Sequence, residues 1–335
     1  MKPDITTRYL GFDLRSPLVA SASPITGDVD VLRRLEAAGV GAVVLPSLFE
    51  EQIEHEETQM LRLRETGAHA FGEALDYFPA LQVYNSGPDA YLRKIEAARA
   101  ALAIPVVASL NGASAGGWVH HAKRMEEAGA SAIELNVYWV PASPSETGAD
   151  VEHRYIDLVT RVRAAVRVPL CVKVADVFSS PANFVLRLER AGANGVVLFN
   201  RMLRPDLDLE KLELVPKLEL SEPRESRAAL QWIGILRPHT RLSLAASGGI
   251  HDASDALKLL LVGADVVMAT SALLRRGPDH ARAILDEAAT WMESKGYASV
   301  QELRGSMSAR NCPDPTAYER ANYMRTLTTY VADAV

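Results

Sequence analysis

The stretch Leu242-Ser-Leu-Ala-Ala-Ser-Gly-Gly-Ile-His-Asp-Ala-Ser-Asp-Ala-Leu-Lys-Leu-Leu-Leu-Val-Gly-Ala-Asp-Val-Val-Met-Ala-Thr270 decides the fold class. Two short apolar runs, Leu242–Ser247 and Asp265–Thr270, read as strands buried on both faces. The amphipathic segment Ala253–Val262 between them reads as a helix, and Gly263 ends it by taking a left-handed conformation that other residues resist. Strand, glycine pair, helix, glycine and strand make one parallel βαβ unit.

Outward from this unit the same phrase recurs. Helical patterns end at Ala38-Gly39-Val40-Gly41, Ala128-Gly129-Ala130 and Ala191-Gly192-Ala193, each running into an apolar segment. Strands are expected at Pro17–Ala22, Gly41–Ser47, Pro105–Asn111, Ala132–Tyr138, Pro169–Ala175 and Gly195–Asn200. Helices are expected at Val29–Ala38, Ala115–Ala128, Val151–Val166, Pro181–Ala191 and Asp279–Glu293. Eight strands with right-handed crossovers close most naturally into a (β/α)8 TIM barrel. An open doubly wound sheet is the runner-up, weakened because no Gly-x-Gly-x-x-Gly follows the first strand. Residues 48–88 and 201–227 are insertions after strands two and six, and 296–335 forms a tail. The expected layout is a barrel over 1–308 with a C-terminal extension, 309–335, packed on it or on a partner. The acidic run Glu50–Glu57 reads as a solvated helix face.

The 335 residues carry a net charge of −6, with no cluster of positive charge in the sequence to suggest nucleic acid or an anionic membrane as partner. The N-terminal residues lack the apolar core of a signal peptide, and no apolar run is long enough to span a bilayer, so a cytoplasmic location is expected. Of the two cysteines, Cys171 lies in the apolar run Pro169–Val174 and reads as a core residue. His120 and His121 are adjacent and project differently from a helix. With His55, His69 and His239 they read as solvated, and no metal constellation is visible. Nothing in the pattern suggests a covalent hydrolase.

The top of a barrel is where ligands sit, so polar groups at strand ends are the informative ones. They are Ser21 and Ser23, Ser47, Asn111, Asn136, Lys173, Asn200, Ser247-Gly248-Gly249 and Thr270. A lysine inside Leu170-Cys-Val-Lys-Val-Ala175 is costly without a partner. It points to an anionic or electron-rich ligand in the barrel mouth; the alternative is a buried ion pair with Glu134. The glycine pair at 248–249, with Ala269-Thr270 ending the next strand, exposes backbone amides suited to a phosphate.

These residues together resemble the dihydroorotate dehydrogenase family. Gly11–Ser23 is similar to its opening strand, Glu134-Leu-Asn136 to its strand four, and Val172-Lys173 to its flavin-contacting lysine. Asn200 matches its strand-six asparagine, while Gly248–Ala256 and Ala269–Pro278 match its phosphate-binding end. Met292–Val300 resembles the turn that closes the soluble branch. The resemblance, over about residues 8 to 308, implies a bound FMN with its phosphate at Gly248, Gly249 and Thr270 and with Ser247, Ala269 and Asn200 also among the flavin-binding residues. It places Lys173 near the flavin N1–O2 edge, Ser21, Ala22 and Ser47 against the ring, and Asn136 and Asn200 on a small planar substrate, dihydroorotate by default. It further implies an oxidoreductase of pyrimidine biosynthesis and a homodimer, and leaves the electron acceptor open.

The departures are as specific. Where the family carries a Cys or Ser that removes a proton, this chain reads Asn136-Val-Tyr-Trp139-Val-Pro141, which puts Trp139 at the base position. The family's strand-two lysine is Pro46, and its asparagine before Met-Gly-Leu-Pro has no match in Ala74–Pro79. Its glycine-rich turn after strand six is Ser221–Ser226, where Arg224 or Ser226 stands instead. Tyr138, Ser143 and Ser145 are the hydroxyls left to replace the base, and each needs activation. A flavoprotein acting on another substrate, or a non-catalytic flavin-binding barrel serving as a partner through its tail, are the alternatives.

Overall fold

The computed structural model describes residues 2–52, 87–112 and 117–329. His55, His69, the rest of the acidic run and Ala74–Pro79 lie outside the described residues. The strands Leu18–Ala20 (β1), Ala42–Phe49 (β2), Val106–Gly112 (β3), Ala132–Val137 (β4), Leu170–Val174 (β5), Gly195–Leu198 (β6), Ser243–Ser247 (β7) and Val266–Ala269 (β8) form a closed barrel. Every pairing is parallel, and Leu244 against Val196 closes the ring between β7 and β6. The expected strands all form, most of them shortened by a residue or two. Asn200 and Thr270 fall just past their strands, and β2 runs on to Phe49.

Helices cover the barrel as the amphipathic patterns require: Val29–Ala37 (α1), Pro88–Ala101 (α2), Trp118–Glu127 (α3), Gly148–Ala165 (α4), Pro181–Arg190 (α5), Ser226–Leu236 (α6), Ala253–Val262 (α7), Ser271–Arg276 (α8) and His280–Ser294 (α9). The four glycines that end helices before a strand have φ between +93° and +121°. Three of these helices, α2, α6 and the short α8, were not expected; α2 and α6 each begin where an insertion ends, with Pro88 or Ser226 opening the helix inside polar sequence.

Side chains alternate along each strand, so the barrel has two cores. One lies between strands and helices and includes Leu18, Ile133, Leu135, Val172 and Leu244. The other fills the interior with small residues, among them Val19, Ala42, Val44, Val107, Ala132, Cys171, Val197, Ala245 and Val266. An antiparallel hairpin, Thr7–Tyr9 with Phe12–Leu14, plugs the N-terminal end of the barrel with Tyr9, Leu10 and Leu14. Tyr9 meets the buried Cys171 thiol at 3.2 Å, and burial pushes that thiol well above its usual range. A second hairpin, Asp206–Asp208 with Glu213–Val215, stands in the insertion after β6 and exposes Leu207, Leu209, Leu212 and Leu214.

Beyond α9, Val300–Leu303 (α10) leads into a segment that follows α6. Ala309 donates its amide to Gly234 at 2.9 Å, Gln231 donates to the Tyr318 carbonyl at 2.8 Å, and the Tyr318 ring lies flush on Gly234. A final helix, Arg320–Thr329 (α11), follows.

The expectation of solvated histidines fails at His121. It is buried on the inner face of α3, and that burial, helped by the charges of His120 and Arg124, lowers its pKa to about 4.

Candidate active site

Inside the barrel, two residues along each strand are enough to pass from an apolar interior to a polar one. Val107 gives way to Ser109 on β3, Ala132 to Glu134 and Asn136 on β4, and Cys171 to Lys173 on β5. Parallel register sets Ser47 beside Ser109, Ser109 beside Glu134 and Asn136 beside Lys173. The result is a polar chain across the top of the interior. Ser47 Oγ and Ser109 Oγ are 2.8 Å apart, and Ser109 Oγ donates to Glu134 Oε1 at 3.4 Å. Asn136 Nδ2 donates to Ser47 at 3.4 Å, and Asn200 Nδ2 donates to Asn136 Oδ1 at 2.7 Å.

Lys173 lies 4.0 Å from Glu134 Oε1, so the ion pair weighed against a ligand is present, at the limit of contact. Both groups are at least nine-tenths buried, yet Glu134 Oε2 has no hydrogen-bond partner among the described residues. Burying two charges is expensive unless good geometry and further hydrogen bonds compensate. This pair has neither in full, which leaves room for another polar group against it. Ser109, whose backbone is held from both sides by the Tyr91 hydroxyl, went unnoticed in the sequence because a lone serine in a strand carries no pattern.

The other half of the mouth is built from backbone. Gly248 and Gly249 have φ of +90° and +72°. A Cβ on Gly249 would stand 2.5 Å from the Ser226 amide and 2.9 Å from the Glu222 and Pro223 carbonyls, so only glycine lets this turn press against the start of α6. Gly248 faces open space. Ser221 ties three loops together: its hydroxyl donates to Ser271 at 2.9 Å, accepts from the Gly249 amide at 3.4 Å, and lies 3.4 Å from His251 Nε2. Ser271 follows Thr270, which caps α8. Ser226 donates to the Pro223 carbonyl at 2.7 Å, and Arg224 pairs with Glu222 at 3.1 Å. Ser21 is buried, with its amide on the Ala269 carbonyl at 3.0 Å, and Ala22 is half-buried beside it. A cavity of about 560 Å³ opens here, lined by Asn200, Arg201, Arg224, Ser247 and Gly248 among others.

The loop after β4 is arranged differently. Trp139 donates its indole N–H to Glu146 at 3.2 Å, and the Arg154 guanidinium lies 4.1 Å over its ring while pairing with Glu146 at 2.5 Å. Tyr138 is equally engaged: its hydroxyl donates to the Leu203 carbonyl at 3.1 Å and accepts from the Leu203 amide at 3.0 Å. Ser143 and Ser145 are exposed and meet each other at 2.8 Å. Pro46 is buried within the irregular stretch of β2 between Val44 and Ser47. Among the described residues no group of three metal-ligating side chains occurs, and no helix is long and apolar enough to cross a membrane.

Comparison with known proteins identifies the family. The family model described as dihydroorotate dehydrogenase matches residues 5–292. A protein of Aeropyrum pernix, provisionally named dihydroorotate dehydrogenase A (fumarate), is 27% identical over 319 residues, covering 91% of this chain and 97% of its own. The catalytic subunit of dihydroorotate dehydrogenase B (NAD(+)) from Thermoplasma acidophilum is 24% identical over 310 residues, covering 90% and 98%. Dihydroorotate dehydrogenase A (fumarate) of Lactobacillus helveticus is 24% identical over 305 residues, covering 89% and 96%. Members of the family use FMN, and this chain belongs to the dihydroorotate dehydrogenase family.

Proposed function

We propose that this chain is an FMN-dependent oxidoreductase that moves hydride between flavin N5 and a small planar substrate, with dihydroorotate as the first candidate. The observation that carries the reading is Lys173, a buried cation whose one carboxylate neighbour among the described residues lies 4.0 Å away and keeps one oxygen without a partner there. That donor set fits the N1–O2 edge of a flavin, where reduction places negative charge. Gly248, with open space on its Cβ side, and Ser247 beside it in the mouth cavity, with Gly249 next in the chain and Thr270 just past β8, fit its phosphate. When bound, FMN supplies a two-electron acceptor that no protein side chain can replace.

The chain's own residues then do the rest. Lys173 stabilises charge that develops on the ring, an electrostatic contribution from a fixed and poorly solvated group. Asn136 and Asn200, linked at 2.7 Å, offer amides to the face of the mouth where a carboxylate-bearing ring would lie. Ser21, Ala22 and Ser47, the last in contact with Asn136, would lie against the flavin ring. Anaerobic visible spectra before and after dihydroorotate test the proposal. A yellow protein that bleaches is expected; a colourless protein that FMN cannot reconstitute overturns it.

One observation favours a second reading, in which the flavin stays and the substrate differs. Trp139 is clamped by Glu146 and Arg154, and the Tyr138 hydroxyl is already used by Leu203, so the loop offers no buried, activated base. A yellow protein that dihydroorotate leaves oxidised, while another reductant bleaches it, selects this reading.

A further inference from the structure

At the N-terminal end of the barrel, opposite the mouth, lies a second cavity of about 660 Å³. Five arginines line it, Arg8, Arg237, Arg241, Arg304 and Arg310, against a single carboxylate, Asp265. This concentration of positive charge occurs on a chain whose net charge is −6. Two of the five are committed to the fold. Arg237 binds Asp265 at 3.0 Å and the Gly263 and Leu242 carbonyls, and Arg304 binds Asp265 at 2.6 Å. The other three have exposed side chains with no carboxylate partner among the described residues.

Their backbones are nevertheless fixed. Arg8 precedes Tyr9 and Leu10, which are buried in the barrel floor. Arg241 stands between Thr240, bound to Glu189 at 2.6 Å, and the buried Leu242. Arg310 follows Ala309, bound to Gly234 at 2.9 Å. Three arginines from three separate segments therefore line one concave site. Exposed arginines scattered on a surface share no such site.

We propose that this cavity binds a compact anion carrying two or more phosphoryl groups. Guanidinium forks match phosphoryl oxygens in pairs, and several together favour a multiply charged ligand over a single carboxylate. The volume suits a small molecule, and the lining holds no aromatic side chain on which a base could stack. The ligand class is thus a phosphorylated small metabolite or an inorganic polyphosphate, bound at the end of the barrel away from the mouth.

Isothermal titration of the full chain with inorganic pyrophosphate tests this. The wild-type protein is expected to bind in the micromolar range, and more weakly as salt rises. The triple variant Arg8→Gln/Arg241→Gln/Arg310→Gln should bind on the order of a hundredfold more weakly. The single variant Arg241→Gln, which disturbs only one exposed side chain, should lose several-fold. A variant of two residues lining the mouth cavity, Lys217→Gln/Arg224→Gln, should bind as the wild type does. No binding by the wild type overturns the proposal. So does binding that survives the triple substitution but is lost in the mouth variant. Citrate binding as tightly as pyrophosphate, with the same response to the variants, overturns the phosphoryl assignment.

Discussion

Two carboxylates, Glu134 and Asp265, are buried at opposite ends of the same barrel, at 1% and 5% exposure, and they are treated very differently. Asp265 sits just before β8. Its side chain accepts from the Leu244 amide at 2.7 Å, from Arg237 at 3.0 and 3.1 Å and from Arg304 at 2.6 Å. Glu134, in the middle of β4, has one long hydrogen bond from Ser109, a lysine at 4.0 Å and an oxygen with no partner among the described residues. A buried charge that is saturated by the protein has been given to the fold. One left short has room for a further polar partner, which fits the division in barrel enzymes between a stabilising floor and a reactive top.

The largest effect should come from breaking the saturated site. Asp265→Ala leaves two guanidinium groups facing each other and the Leu244 amide unpaired, and should lower unfolding free energy by about 3–4 kcal/mol in urea denaturation. A loss below about 1 kcal/mol would show that solvent in the floor cavity replaces the carboxylate, and the contrast with Glu134 would lapse.

A second test separates the two glycines of the mouth. Gly249→Ala combines positive φ with a 2.5 Å approach to backbone and should cost about 2–3 kcal/mol, with loss of bound flavin. Gly248→Ala meets the same strain of φ but open space, and about 1 kcal/mol is expected. Equal costs would mean that the packing against α6 contributes little.

Glu134→Gln should change stability by less than about 1 kcal/mol, because the bonds lost are long. Its effect belongs to the ligand. If the proposed flavin lies against Lys173, removing a negative charge there makes negative charge on its reduced form easier to hold. The midpoint potential should therefore rise by on the order of 30 mV, equivalent to about 1.4 kcal/mol for two electrons. A large loss of stability with no change in potential would invert the comparison.

The same contrast explains what the sequence discloses. The eight strands are legible because parallel strands buried on both faces must be almost continuously apolar, as in Gly195–Leu198 and Val266–Ala269. Gly249 is legible because backbone geometry leaves no other residue, and Lys173 because a charge in an apolar run demands a reason. Asp265 is not, since its partners Arg237 and Arg304 lie 28 and 39 residues away and no local spacing announces them. The Ser221–Ser271 link is hidden for the same reason: 50 residues separate two ordinary serines. Helix α6 is obscured by the polar insertion that runs into its first turn. The engagement of Trp139 with Glu146 and Arg154 is likewise a property of the folded loop, although the substitution at that position is plain in the sequence.

His121 completes the comparison as a buried titratable group with little compensation. Asp89 favours its charged form, but burial, His120 and Arg124 outweigh it and bring the pKa to about 4. In the unfolded chain a histidine titrates near 6.5. As pH falls from about 6.5 towards 4, the unfolded state takes up a proton that the native state refuses, so stability present above 6.5 is progressively lost. The loss should be about 1–2 kcal/mol, below the fully buried limit because His120 beside it is exposed and solvent screens the site. Urea denaturation at about pH 7 and pH 4.5 measures it. His121→Leu should flatten the difference by that amount, while His120→Ala should leave most of it. Parallel losses in wild type and His121→Leu would place the acid sensitivity elsewhere and remove His121 from the set of buried charges that the fold must manage.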